Sequence, residues 1–98
     1  MPSLSTHVLD AAAGGPRPGV TVTVTDPAGT VVATAVTDDA GRIPDLAGDL
    51  PIGTYRIGWS TGGDFIEEVA VAVRLSDQRH YHVPLLASPV TAVTYLGV

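Results

Sequence analysis

Apolar and polar residues alternate along most of this chain with a period of two, the repeat of an extended strand that turns one face to a core and the other to solvent. Over Leu4 to Asp10 the alternation sets Ser5, His7 and Leu9 on one face and Thr6 and Val8 on the other. Val20 to Thr25 and Thr30 to Thr37 repeat the pattern in Val and Thr, joined by Asp26-Pro27-Ala28-Gly29, whose residue order is that of a turn. Thr54 to Ser60 and His80 to Leu86 read as further strands, Phe65 to Leu75 is the longest such signal, and Val90 to Val98 is the last. The intervening stretches are turn-forming: Ala11 to Gly19 is predicted to carry neither helix nor ladder, Asp38 to Gly41 closes a hairpin, and Pro44 to Gly53 reads as a surface loop. No window repeats apolar residues at helical spacing. The pattern predicts an all-β sandwich of seven to eight short strands in two packed sheets.

Composition narrows the function more than the fold. At 98 residues the chain is expected to be one domain, 1–98, with a single modest core that gains from self-association. A net charge of −5 with five Lys plus Arg speaks against a nucleic-acid or anionic-membrane surface, both of which need clustered cations. The absence of cysteine removes disulfides, thiolate nucleophiles and Cys-based zinc sites, and suits the cytoplasm. No basic start with an apolar core and no membrane-spanning run is present, so the chain reads as mature. Gly14-Gly15 lacks the Lys and the following helix that a phosphate cradle needs.

Chemistry concentrates in His80-Tyr81-His82-Val83-Pro84-Leu85-Leu86. Strand alternation sends His80, His82 and Pro84 to one face, so two imidazoles look the same way, and imidazole is the group best placed to pass protons near neutral pH. Together with His7 they offer three nitrogens, but no carboxylate or Cys stands at a spacing that completes a metal site, so no metal and no cofactor are expected. On the residues alone, a solvent-facing His80, a partly buried structural His82, an edge-strand His7 and an Arg42 paired with Asp39 or Asp45 account for the same facts.

A wider resemblance changes that balance. Leu4-Ser5-Thr6-His7-Val8-Leu9-Asp10, Gly19-Val20, Thr37-Asp38-Asp39-Ala40-Gly41-Arg42-Ile43-Pro44-Asp45-Leu46, Gly53-Thr54-Tyr55, and the His-Tyr-His segment followed by Ser88-Pro89 resemble, in order, the 5-hydroxyisourate hydrolases of the transthyretin-like family. The resemblance implies an eight-stranded sandwich that pairs into dimers and then a homotetramer, with active sites in the channel between dimers. It further implies a metal-free hydrolysis of 5-hydroxyisourate to 2-oxo-4-hydroxy-4-carboxy-5-ureidoimidazoline, with His7, Arg42 and His82 as the catalytic trio. Opening a cyclic amide with water needs a base, an oxyanion partner and an acid for the departing nitrogen, and two histidines and an arginine supply all three.

The chain departs from the family pattern at two places. The terminal Tyr-Arg-Gly-Ser of the family reads Tyr95-Leu96-Gly97-Val98, and the connection between Gly63 and Val69 is shorter. A more apolar, less covered pocket is therefore expected, with Pro84, Val93, Tyr95 and Leu96 against the small-molecule substrate. Two other functions stay open: an enzyme for a different, more apolar small cyclic carbonyl compound in a biosynthetic pathway, or a non-catalytic carrier like transthyretin. Retention of all three polar positions speaks against the carrier, which has no need of them.

Overall fold

A computed structural model describes residues 1–97, and Val98, the end of the expected last strand, lies outside them. Ten strands follow in order: β1 (Ser3–Asp10), β2 (Gly15–Pro16), β3 (Thr21–Thr25), β4 (Val31–Val36), β5 (Arg42–Ala47), β6 (Gly53–Ser60), β7 (Glu68–Leu75), β8 (His80–His82), β9 (Leu85–Ala87) and β10 (Ala92–Thr94). No helix forms among the described residues. Four strands make one sheet in the order β4-β3-β6-β7; the other sheet runs β10-β9-β1-β2, with β5 and β8 also on β1.

The two inner faces supply the core. Val22 and Val24 of β3 and Tyr55, Ile57 and Trp59 of β6 pack toward Leu4 and Val8 of β1, Tyr81 of β8 and Leu85 of β9, all buried. Val and Thr alternate along β3 because a β-branched side chain fits a pleated surface and every second one is inside. Thr6, also buried, is the polar exception on the inner face of β1. Its hydroxyl donates to the Val83 carbonyl at 2.7 Å and accepts the Trp59 indole N–H at 3.1 Å, so one side chain ties both sheets together.

Strand β1 is the organising element. Along one edge it pairs in parallel with β8, Ser5 opposite His82, and with β9, Val8 opposite Leu85. These stretches keep one register, so β8 and β9 are a single line of chain interrupted at Val83-Pro84, where proline has no N–H for the ladder. Its other edge takes β5 and then β2, both antiparallel.

Several segments differ from the sequence reading. The first half of the expected 44–53 loop is strand: Ile43 and Leu46 of β5 are buried, and the register with β1 shifts between Thr6 and Leu4, a bulge that lets Pro44 sit in the strand without breaking it. Gly15–Pro16 does form a ladder, two residues long, against Leu9–Asp10. The long strand begins at Glu68 rather than Phe65, which is 79% exposed, because Gly62 and Gly63 donate to the Glu67 and Ile66 carbonyls and fold that stretch into a turn. The last strand is confined to Ala92–Thr94, followed by a bridge in which Gly97 donates to the His82 carbonyl at 2.7 Å.

Thr6→Val keeps the shape of the side chain but leaves the Trp59 N–H and the Val83 carbonyl unsatisfied in the core. The expected cost is about 1–3 kcal/mol, read as a lower midpoint at unchanged slope in a denaturant titration, with the fluorescence of Trp59 shifted in the native state.

Candidate active site

The outer face of the six-stranded sheet carries the polar constellation. With Leu4, Thr6 and Val8 directed into the core, Ser3, Ser5, His7 and Leu9 fall on the opposite face of β1. Antiparallel pairing sets His7 opposite Arg42, and parallel pairing sets Ser5 opposite His82. His7 therefore lies on an inner strand, paired with Arg42 on one side and level with the break between β8 and β9 on the other, and not on an edge strand. The guanidinium's root is fixed by the turn before it. Asp38 Oδ1 accepts the Ala40 and Arg42 N–H groups at 2.9 Å each. Gly41, at φ 74°, sits so close to the main chain of Val8 that any side chain there would strike the Val8 carbonyl oxygen.

His7 and His82 line one open hollow of about 430 Å³ with Leu9, Pro84, Tyr95, Leu96 and Gly97. Of the residues expected to contact substrate, Pro84, Tyr95 and Leu96 are thus at the hollow; Val93, paired with Leu86 and 57% exposed, does not line it. Tyr95 and Leu96 also wall a second, mainly apolar hollow of about 290 Å³ against Val71 and Val73 of β7.

The two imidazoles are held differently. His7 Nε2 donates to the Ala40 carbonyl at 2.9 Å. Because a carbonyl only accepts, the neutral ring must carry its proton on Nε2 and leave Nδ1 with the lone pair. His82 Nδ1 lies 2.7 Å from Ser5 Oγ, and Nε2 has no protein partner among the described residues. Gly97 packs on this ring: a Cβ there would come within 2.9 Å of His82 Cδ2. Partial burial holds His82 below the ordinary histidine range, and the positive charge of His7, Arg42 and His80 around it adds to the effect. That shift favours the neutral ring.

His80, read from sequence as solvent-facing, is hydrogen-bonded on both ring nitrogens: Nδ1 is 2.6 Å from Ser3 Oγ and Nε2 is 2.8 Å from Ser5 Oγ. Ser3, Ser5 and Gly97 were not picked out by sequence reasoning. Alternation does place the serines on the face of His7, but their partners follow only from the pairing of β1 with β8. Among the described residues no three His, Asp or Glu gather as a metal-ligand set.

Residues 4–97 match the profile of the HIUase/Transthyretin family. The chain belongs to that family. A 5-hydroxyisourate hydrolase of Caulobacter vibrioides is 36% identical over 99% of this chain and 99% of its own length. The uric acid degradation bifunctional protein TTL of Arabidopsis thaliana is 34% identical over 98% of this chain, which spans 37% of that longer protein. Among solved structures, 5-hydroxyisourate hydrolase of Klebsiella pneumoniae superposes with a TM-score of 0.91 at 32% identity, covering 100% of both chains. Sea bream transthyretin in complex with thyroxine gives 0.89 at 31%, over 98% of this chain and 95% of that one. The sandwich of this family member is thus transthyretin-like, as the resemblance of its motifs implies.

The histidine environment carries a sign that can be measured. Because the folded His82 pKa lies below the unfolded value of about 6.5, the unfolded chain binds more protons between those two values. His82 therefore makes stability rise with pH across that window and contributes no slope above it. In an NMR titration the His82 ring proton should show a midpoint below 6.5, the ordinary histidine value; a midpoint above it contradicts the arrangement.

Proposed function

We propose that this chain is a 5-hydroxyisourate-type hydrolase, opening a small cyclic amide at the hollow between β1, β8 and the Tyr95–Gly97 segment. The observation that carries the reading is that His7 and His82 line one hollow, His7 held by the Ala40 carbonyl, with Arg42 opposite His7 in the ladder and outside the hollow's lining. Full-length similarity to enzymes named for that substrate supports it.

His82 acts as the base through Nε2, drawing a proton from water as the oxygen attacks the ring carbonyl. Arg42 offers its planar fork to the oxyanion as negative charge develops there. His7, after taking a proton from solvent on its Nδ1 lone pair, gives it to the departing nitrogen as the carbon–nitrogen bond breaks, and the proton that His82 took from water replaces it in solvent. Water supplies two hydrogens, one ending on the nitrogen and one on the new carboxyl group, which ionises at neutral pH. Each turnover therefore leaves one proton to be exported.

One feature favours a second reading of the substrate. Leu96, 46% exposed at the hollow, brings an aliphatic wall where a polar, purine-like ring would gain from donors, so a more apolar cyclic amide fits the same three groups. The carrier reading gains nothing from a neutral base held against a hydrogen-bonded serine.

We place the active form as a homotetramer, a dimer of dimers. Tyr95 at 51% exposure, Leu96 and Val93 leave an apolar strip on the outer sheet face, and Val31 and Val36 expose another at the edge strand β4. Sedimentation of a species of four 10.0 kDa subunits is the expected result, and a monomer at micromolar concentration contradicts it. The cytoplasm is the compartment we assign, on the absence of cysteine; no helix is long and apolar enough to cross a membrane.

Freshly generated 5-hydroxyisourate, followed optically, tests the reaction. His82→Ala and His7→Ala should each lower kcat by about 10²–10⁴-fold, and Arg42→Lys should lose about 10–100-fold in kcat/KM. Decay at equal rates with wild type, His82→Ala and no protein overturns the hydrolase.

A further inference from the structure

Three side chains outside the assigned trio, Ser3, His80 and Ser5, form a continuous line with His82. Ser3 Oγ meets His80 Nδ1 at 2.6 Å, His80 Nε2 meets Ser5 Oγ at 2.8 Å, and Ser5 Oγ meets His82 Nδ1 at 2.7 Å. The line starts at exposed His80 and half-buried Ser3 and ends at the ring whose other nitrogen is free for the hollow. We propose that Ser3, His80 and Ser5 form a proton relay that sets the tautomer of His82 and carries its proton to solvent. The proposal rests on the hydrolase reading and extends it, giving a route for the proton that each turnover leaves behind.

Hydrogen counting makes the relay specific. Ser5 has one hydroxyl hydrogen and two imidazole neighbours, so it donates to one ring and accepts from the other. With the lone pair of His82 on Nε2, its Nδ1–H donates to Ser5, Ser5 donates to His80 Nε2, and His80 Nδ1–H donates to Ser3. When Nε2 has taken the water's proton, the Nδ1 proton of His82 moves to Ser5 Oγ and the hydroxyl proton of Ser5 moves to His80 Nε2. The Nδ1 proton of His80 then moves to Ser3 Oγ, and the hydroxyl proton of Ser3 passes to solvent. Every group ends neutral, no bond other than N–H and O–H changes, and the polarity of the line is reversed. Return through the reverse shift, or through ring exchange with water, resets it. In either polarity His80 and His82 share the same tautomer, both Nδ1–H or both Nε2–H.

His80 touches no substrate in this account, so it is a positioning and relay residue, and its loss should be rescued by a diffusible proton carrier. In dilute buffer His80→Ala should retain the wild-type melting temperature and KM while kcat falls about tenfold, less than for a direct acid–base group. Added imidazole should restore most of that kcat, with little effect on the wild type. Long-range ¹⁵N spectra of the wild type should show matching tautomers for His80 and His82, and Ser5→Ala should uncouple them. A His80→Ala enzyme at the full rate in dilute buffer, a loss that no small buffer restores, or opposite tautomers on the two rings would overturn the relay. If the wild type leaves 5-hydroxyisourate untouched, the hydrolase reading falls, and the ¹⁵N tautomers still decide the hydrogen-bonded line by themselves.

Discussion

The hydroxyl of Thr6, caught between the Trp59 indole and the Val83 carbonyl, fixes more than local packing. A strand has two faces, and a one-residue slip exchanges them. With Thr6 anchored inward to both sheets, Ser5 and His7 on either side of it are committed outward, and β8 is locked to β1 in the register that brings His82 opposite Ser5. The polar outer face is thus a by-product of a satisfied polar group in the core. Apolar burial supplies most of the stability, and this directional contact reinforces the one register that burial favours.

The site uses the sheet as a template for tautomers. Each imidazole is read by a neighbour with limited hydrogen-bonding options: a carbonyl for His7 and a hydroxyl with a single hydrogen for His82. Partial burial and surrounding positive charge then favour the uncharged form of His82. Those influences come from β1, β5, β8 and the turn before β5, so the basicity of one ring depends on pairing among segments distant in the chain.

Much of the fold was legible because a period of two is a local signal. The strands at Leu4–Asp10, Val20–Thr25, Thr30–Thr37 and Thr54–Ser60 appear close to where the alternation places them. Strand β5 was hidden because Pro44 mimics loop composition while a bulge absorbs it, and the start of β7 was overextended because Phe65 and Ile66 continue the apolar pattern through a turn fixed by the backbone of Gly62 and Gly63. At the site, His7, Arg42 and His82 stood out through the motifs around them. The serine partners of His80 could not be found that way, since they depend on parallel pairing between strands at opposite ends of the chain. Gly97 was legible only as a survivor of the family's terminal motif, without the ring it presses on.

Arg42 owes its position to contacts made on the main chain: the carboxylate of Asp38 gathering N–H groups, and a glycine backed against the carbonyl of Val8. Tyr95 and Leu96, by contrast, line the hollow from a segment beyond the last strand. Anchorage and selectivity are thereby carried by separate parts of the molecule. Such a division leaves a lineage free to exchange surface side chains on one short segment without disturbing the turn that seats Arg42.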